Sequence, residues 1–196
     1  MLWKLPLTIC LLALTASCQL VRDIGANRSS GECGTERDAV KTLSDPDAAR
    51  VSLTPTPTSV DALRGLAAPE ALTDLRIGPT EFYTYSVQAD MMAVKLEQDR
   101  DFHLVIADPV TGATMIVEFV DAECAGNTSA QVRALMQQAR LAFVNGCVEP
   151  KASFQDLRGV ARISGVGFFD KIHGQTGVAP NGIELHPVLV FEGSCH

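Results

Sequence analysis

Three of the chain's four histidines fall in two short stretches rich in carboxylates. The first reads Glu97-Gln98-Asp99-Arg100-Asp101-Phe102-His103, and the second runs from Asp170 through His173 and Asn181 to Glu184 and His186. In extended backbone, residues two apart share a side, so Asp99, Asp101 and His103 align, as do Glu184 and His186. Imidazole and carboxylate together are donors for a divalent ion such as zinc, which makes Asp101, His103, His173 and His186 candidate metal ligands. The competing expectation is structural. Acidic and histidine side chains where loops meet strands commonly pair with arginine or backbone amides; His103 would then partner Asp101, and His186 beside Pro187 would be a buried residue fixing an irregular strand end. On the binding view, Asp99, Asp101, His103, His173, Asn181, Glu184 and His186 form the candidate ligand-binding set.

Other chemistries find less support. The segment Gly174–Gly182 has three glycines and ends in the turn-favouring pair Asn181-Gly182. It lacks both G-x-G-x-x-G and Walker spacing, so it is read as an ordered turn or a recognition loop rather than a phosphate cradle. There is no G-x-S-x-G elbow and no H-E-x-x-H pair, and no catalytic residue is assigned. The chain has 16 basic and 23 acidic residues, a formal charge of −7. Phosphate recognition needs clustered Lys and Arg, and Arg100 and Arg162 alone do not make a basic groove, so nucleic acid is not an expected partner.

The elements that must position these residues can be read from periodicity. From Tyr83 to Met91 the odd positions are apolar and the even ones polar; after Met92 the phase flips, so that Val94 and Leu96 are apolar. A β-bulge in one long strand does this. Strands follow at His103–Ala107 and Ala113–Val120, the latter with Met115, Val117 and Phe119 on one face. The period then lengthens to that of a helix, capped by Thr128 or Ser129, with Val132, Leu135, Met136, Ala139 and Phe143 inward, Arg133, Gln137 and Arg140 outward, and Gly146 at its end. Strands at Val160–Phe169 and Ile183–Phe191 complete the order β-β-β-α-β-β. The fold class expected is mainly β: a five-stranded barrel of the oligonucleotide/oligosaccharide-binding (OB) type, with one helix between its third and fourth strands. In that class ligands meet the second and third strands and the two loops bordering them, here residues 97–103 and 170–186.

With 196 residues, 46% hydrophobic and 20% charged, the chain suits one globular domain. Residues 1–18 carry Lys4 and an apolar run from Leu5 to Ala16, too short to span a bilayer, and read as a signal peptide. Their end, Leu14-Thr15-Ala16-Ser17-Cys18, resembles a bacterial lipobox, making Cys18 the lipidation candidate; ordinary cleavage near Ser17 is the alternative. Without that segment the balance is 15 basic against 23 acidic residues. Residues 19–32 read as a flexible tether, and residues 33–79, punctuated by five prolines, as an irregular arm packed on the barrel, with one short helix from Val60 to Leu66 capped by Thr58 or Ser59. The barrel domain takes residues 80–196.

Cys33, Cys124, Cys147 and Cys195 remain, an even set that fits disulfides in an oxidising compartment, and no two form a C-x-x-C pair. A helix of about 16 residues spans about 24 Å and separates Cys124 from Cys147. The favoured pairing is therefore Cys33 with Cys124 and Cys147 with Cys195.

Taken together, Cys33-Gly34-Thr35-Glu36-Arg37, Asp101-Phe102-His103-Leu104-Val105-Ile106-Ala107-Asp108, Thr114-Met115-Ile116-Val117-Glu118 and the long run from Gly165 through His173-Gly174-Gln175-Thr176-Gly177 to His186-Pro187-Val188 resemble a group of small exported bacterial proteins and lipoproteins. The resemblance covers about residues 33–191 and implies a shared fold and export. It carries no activity, cofactor or catalytic residue across. The functional expectation is thus an exported, lipid-anchored binding module without a cofactor, acting on an envelope or extracellular ligand through the two loops and touching the membrane only through its lipid. The alternatives are a divalent-metal-dependent hydrolase built on the same residues, with a metal such as zinc, and a purely structural envelope domain.

Overall fold

The structure, a computed structural model, describes residues 32–196. The signal segment, the lipidation candidate Cys18 and nearly all of the tether lie outside the described residues. Among the described residues no helix is long and apolar enough to cross a membrane.

Seven strands form one sheet that closes on itself. The long first barrel strand, β2 (Tyr83–Leu96), follows a short strand β1 (Ser52–Pro57), and is followed by β3 (Phe102–Ala107) and β4 (Thr114–Phe119). After the helix come the two-residue β5 (Gln155–Asp156), β6 (Gly159–Phe169) and β7 (Ile183–Cys195). The barrel runs β2-β3-β4-β7-β6 and returns to β2, with β4 and β7 parallel and the other barrel pairs antiparallel. This is the OB strand order, with its helix between the third and fourth barrel strands.

The phase flip in β2 has the expected cause. Its first half, Thr84–Asp90, pairs with β6 and its second half, Asp90–Leu96, with β3, and the register shifts between Met91 and Ala93. Met92 bulges outward and is exposed, whereas Val87, Ala89, Met91 and Val94 are buried. Tyr83 departs from the alternation. It is 46% exposed because it stands at the strand's entry, beyond the core.

The arm is less irregular than expected. Because β3 joins β2 only from Asp90 onward, the start of β2 has a free edge, and β1 covers it as a parallel strand. Its prolines, Pro55 and Pro57, are tolerated at an edge position. The arm also holds two short helices, α1 (Asp38–Lys41) and α2 (Val60–Arg64). Ser59 caps α2, its hydroxyl accepting from the Ala62 amide at 3.0 Å.

The main helix, α3 (Ala130–Gly146), is capped by Ser129, whose hydroxyl accepts from the Val132 amide. Ala139 and Phe143 enter the barrel core with Leu104, Ile106, Phe119, Ile163, Leu185 and Phe191. Val132 and Met136 pack into a smaller cluster with Leu43 and Val51 of the arm. Arg140 does not face solvent as the periodicity implied. It donates to the carbonyls of Phe119 and Arg100 at 2.8 and 2.7 Å and lies 3.5 Å above the Phe102 ring, so it ties the helix to the loop before β3. Disulfides join Cys33 to Cys124 and Cys147 to Cys195, as the spacing favoured.

Candidate functional site

Strand alternation decides which groups meet. On β3, Leu104 and Ile106 fill the core, so His103 and Val105 point to the outer face; on β4, Met115, Val117 and Phe119 point in, and Glu118 points out. His103 and Glu118 are direct cross-strand partners. On β7, Ile183 and Leu185 are core residues, leaving Glu184 and His186 on the same outer face. The candidate residues therefore gather less on a loop rim than on the outside of β3, β4 and β7. That face is covered. The loop after β6 folds over β3, bringing the Thr176 carbonyl to His103 Nε2 at 3.0 Å, and α1 lies over Phe168, whose ring sits beneath Arg37 and Lys41.

The result is a chain of alternating carboxylates and imidazoles. His103 Nδ1 lies 3.3 Å from Glu97 Oε1 and 3.2 Å from Glu118 Oε1. The other oxygen of Glu118 is 3.1 Å from His186 Nδ1, and His186 Nε2 is 3.2 Å from Asp101 Oδ2. Glu184 Oε2 stands 3.9 Å from His186 Nδ1. Glu118 thus bridges both histidines, and His103 is paired with it and Glu97 rather than with Asp101. The Glu97–His103–Glu118 donor atoms lie within 4.8 Å of one another, as do those of Asp101, Glu118 and His186.

Electrostatics follow from this packing. Burial works against a charged His103, but the flanking Glu118 and Glu97 overcome it and raise the imidazole to about 10. His186, which is fully buried, is likewise raised well above its ordinary value by Asp101, Glu118 and Glu184 against the cost of burial. Burial also opposes the charge of Glu118, yet its two histidines hold it below the usual carboxylate range. Glu184 goes the other way. Burial, reinforced by Glu118 and Asp170, pushes it up. Burial and the neighbouring Asp101 similarly raise Asp99.

At His186 distance and direction disagree. Its two nitrogens are close to carboxylates, but neither makes a hydrogen bond, and Glu184 Oε2 is also without a partner. The contacts there are electrostatic and not directional.

Beside the chain opens a cleft of about 530 Å³ between the arm, the loop 97–103 and the loop after β6. Glu36, Glu97, Asp99, Glu118, Asp170 and Glu184 line it, against Lys41, Lys95 and the raised imidazole of His103. Lys41 is already paired with Asp170 at 3.7 Å and Lys95 with Glu97 at 2.8 Å. The wall is strongly acidic.

Of the residues singled out in the sequence, Asp101, His103, Glu184 and His186 are brought together, and Asp99 lines the neighbouring cleft. His173 lines the cleft but is exposed and stands outside both close donor groups. Asn181 is not free to bind. Its amide donates to the carbonyls of Leu63 and Leu66, both at 3.0 Å, and its oxygen accepts from the Ile183 amide, so it fastens α2 to the barrel. Glu118 and Glu97 were missed as site residues. The signal for Glu118 was present in the register, as a carboxylate directly opposite His103. No family model, no curated protein and no solved structure matched the chain.

Proposed function

We propose that the protein is an exported, envelope-anchored binding module whose cleft takes a positively charged ligand. The observation carrying this reading is the cleft wall: six carboxylates face three cations, Lys41, Lys95 and His103, each already paired with a carboxylate, and one buried carboxylate oxygen of the wall, Glu184 Oε2, makes no hydrogen bond. Such a surface attracts cations and repels phosphates and acidic glycans. It lies on the second and third barrel strands and their bordering loops, where this barrel class places ligands. The two disulfides support an oxidising location, and the segment ending in Cys18 supports export with a lipid anchor.

Thermal unfolding of the full-length protein with calcium, zinc, spermidine or heparin tests the ligand class. Cations should raise the melting temperature with the logarithm of their free concentration above Kd, and Glu118→Gln or Glu184→Gln should abolish the shift. Stabilisation by heparin alone refutes the reading. Loss of stability in both variants with no cation effect in the parent would assign the network a purely structural role. Incorporation of labelled fatty acid, absent in Cys18→Ala, tests the anchor.

A further inference from the structure

We infer that Glu97, His103 and Glu118 form a binding site for one divalent transition-metal ion in the cleft, with the Thr176 carbonyl holding the imidazole in place. The inference rests on the reading of the cleft as a cation site and names the cation.

The strand pairing sets the donors. The Glu97 amide donates to the Asp101 carbonyl at 2.9 Å, closing the turn between β2 and β3, and Glu118 is the direct cross-strand partner of His103. Both carboxylates meet the same imidazole nitrogen. Glu97 Oε1 lies 3.3 Å and Glu118 Oε1 3.2 Å from His103 Nδ1, and the three donor atoms are within 4.8 Å of one another. Donors held about 2.0–2.1 Å from a tetrahedral ion stand about 3.3 Å apart, which is the separation at both Nδ1 contacts. All three residues line the cleft, so an ion among them would keep its remaining position open to it.

The far side of the ring decides what Nδ1 can be. His103 Nε2 is 3.0 Å from the Thr176 carbonyl, and a carbonyl only accepts, so a hydrogen stays on Nε2 and Nδ1 faces two further acceptors. A backbone carbonyl on the second nitrogen is a usual partner of a metal-bound imidazole, fixing its tautomer and ring plane. Three acceptors around one point need a shared positive centre. A proton on Nδ1 is directed at one carboxylate at a time, whereas a divalent ion in its place bonds all three donors and releases that proton.

An independent observation points to an occupant of the same cleft. Glu184 is 1% exposed and lines the cleft, yet its Oε2 has no hydrogen-bond partner. A buried acceptor of this kind is ordinarily matched by a donor, and the water that fills an open position on a metal ion is one. Lys95 Nζ approaches Glu97 Oε1 at 2.8 Å and competes with the ion for that oxygen. One imidazole with two carboxylates suits zinc, manganese or cobalt better than the thiolate-seeking metals.

The competing location is the neighbouring group Asp101–Glu118–His186. There Asp101 and Glu118 face different nitrogens of the His186 ring, so one ion cannot use both close contacts, and neither Asp101 nor His186 lines the cleft. The test counts metal in the full-length protein, stripped with chelator, re-equilibrated with zinc and dialysed, with cobalt absorption as a second readout of nitrogen and oxygen ligation. The expected result is one equivalent, with dissociation about 100-fold weaker or more in Glu97→Gln and His103→Gln, about 10- to 100-fold weaker in Gly177→Ala, which displaces the Thr176 carbonyl, and unchanged in Asp101→Asn. Lys95→Met, which removes the competing ammonium, should bind about 2- to 5-fold more tightly than the parent. Circular dichroism and intact disulfides establish that each variant is folded; should His103→Gln fail, Glu97→Gln and Lys95→Met carry the test. No retained zinc or cobalt in a folded parent overturns the inference, and so does loss of the ion in Asp101→Asn with retention in Glu97→Gln. If spermidine still stabilises the parent while zinc does not bind, the metal inference fails and the cation reading of the cleft stands; if neither acts, both fail.

Discussion

Replacing Arg37 with methionine should cost about 3–5 kcal/mol, the penalty for stripping one partner from a buried ion pair. The guanidinium spends all five of its N–H groups. Nε donates to the Thr73 carbonyl, one terminal nitrogen to Glu81 Oε1 and the Phe169 carbonyl, and the other to Glu81 Oε2 and the Leu75 carbonyl, at 2.6–2.9 Å. Glu81 is equally committed, since its two oxygens also accept from the amides of Phe169 and Ile77. Arg37→Met therefore leaves a fully buried carboxylate without its counter-charge and takes a donor from three carbonyls, of which that of Leu75 retains the Thr73 hydroxyl at 3.2 Å. With a urea dependence of about 2 kcal/mol per molar, a loss of about 4 kcal/mol moves the unfolding midpoint down by about 2 M. Circular dichroism in urea under oxidising conditions measures it. The double variant Arg37→Met/Glu81→Gln should recover part of the loss, because removing both charges lifts the unpaired-charge penalty. A loss below about 1 kcal/mol for Arg37→Met, or strict additivity in the double variant, would refute the assignment of this pair as the pin between arm and barrel. Because Arg37 lies three residues from Gly34 and four from Lys41, both in the cleft wall, the same variant should also weaken ligand binding.

Other outcomes follow from the same geometry. Gly177 has φ 86°, and a Cβ there would lie 2.5 Å from a Val105 methyl; Gly177→Ala should push the Thr176 carbonyl off His103 and reduce cation stabilisation in a thermal assay, and unchanged binding would contradict the role given to that carbonyl. Phe143, fully buried with ring centroids 5.2 Å from Phe119 and 5.3 Å from Phe191, should cost about 3–5 kcal/mol as Phe143→Ala in chemical denaturation. Removing Cys147–Cys195, which closes a separation of 48 residues, should cost about 4 kcal/mol by chain entropy, and removing Cys33–Cys124, with 91, should cost about 5 kcal/mol. Only the second should also weaken cation binding, because Cys33 adjoins the cleft residue Gly34.

The barrel was legible because its signals are local. The alternation in Tyr83–Met91, its flip at Met92 and the change to helical spacing after Ser129 each depend on a few neighbouring residues. The arm was not legible in the same way. β1 exists because β2 leaves an edge uncovered, which is a property of the pairing between distant strands and leaves no mark on Ser52–Pro57. The site was half legible. Asp101, His103, Glu184 and His186 share a two-residue spacing that puts them on one face, but Asn181 and His173 looked equivalent to them as sequence. Structure separates these: Asn181 is consumed by the backbone of α2, and His173 projects from the loop. Arg140 was misjudged because a helical wheel has no knowledge of the carbonyls of Phe119 and Arg100 waiting beside that turn.

Glu118 shows why the outer face of a barrel is the harder half to read. A carboxylate between Val117 and Phe119 in an alternating strand reads as an ordinary solvent-facing position. It becomes 8% exposed only because the loop after β6 and the disulfide-tied arm close over β3 and β4. The barrel core is filled from the opposite faces of the same strands and from α3, with Val60 and Leu63 of the arm and Ala179 of the loop after β6 also packed into it. The ladder fixes the relative positions of His103, Glu118 and Glu184 rigidly, while the segments that cover them are held by a few identifiable bonds: Arg37 to Glu81, Cys33 to Cys124, and Thr176 to His103. A scaffold of this kind separates two tasks. The strands set the spacing of charged donors, and the covering segments set how dry those donors are and hence how strongly their charges interact.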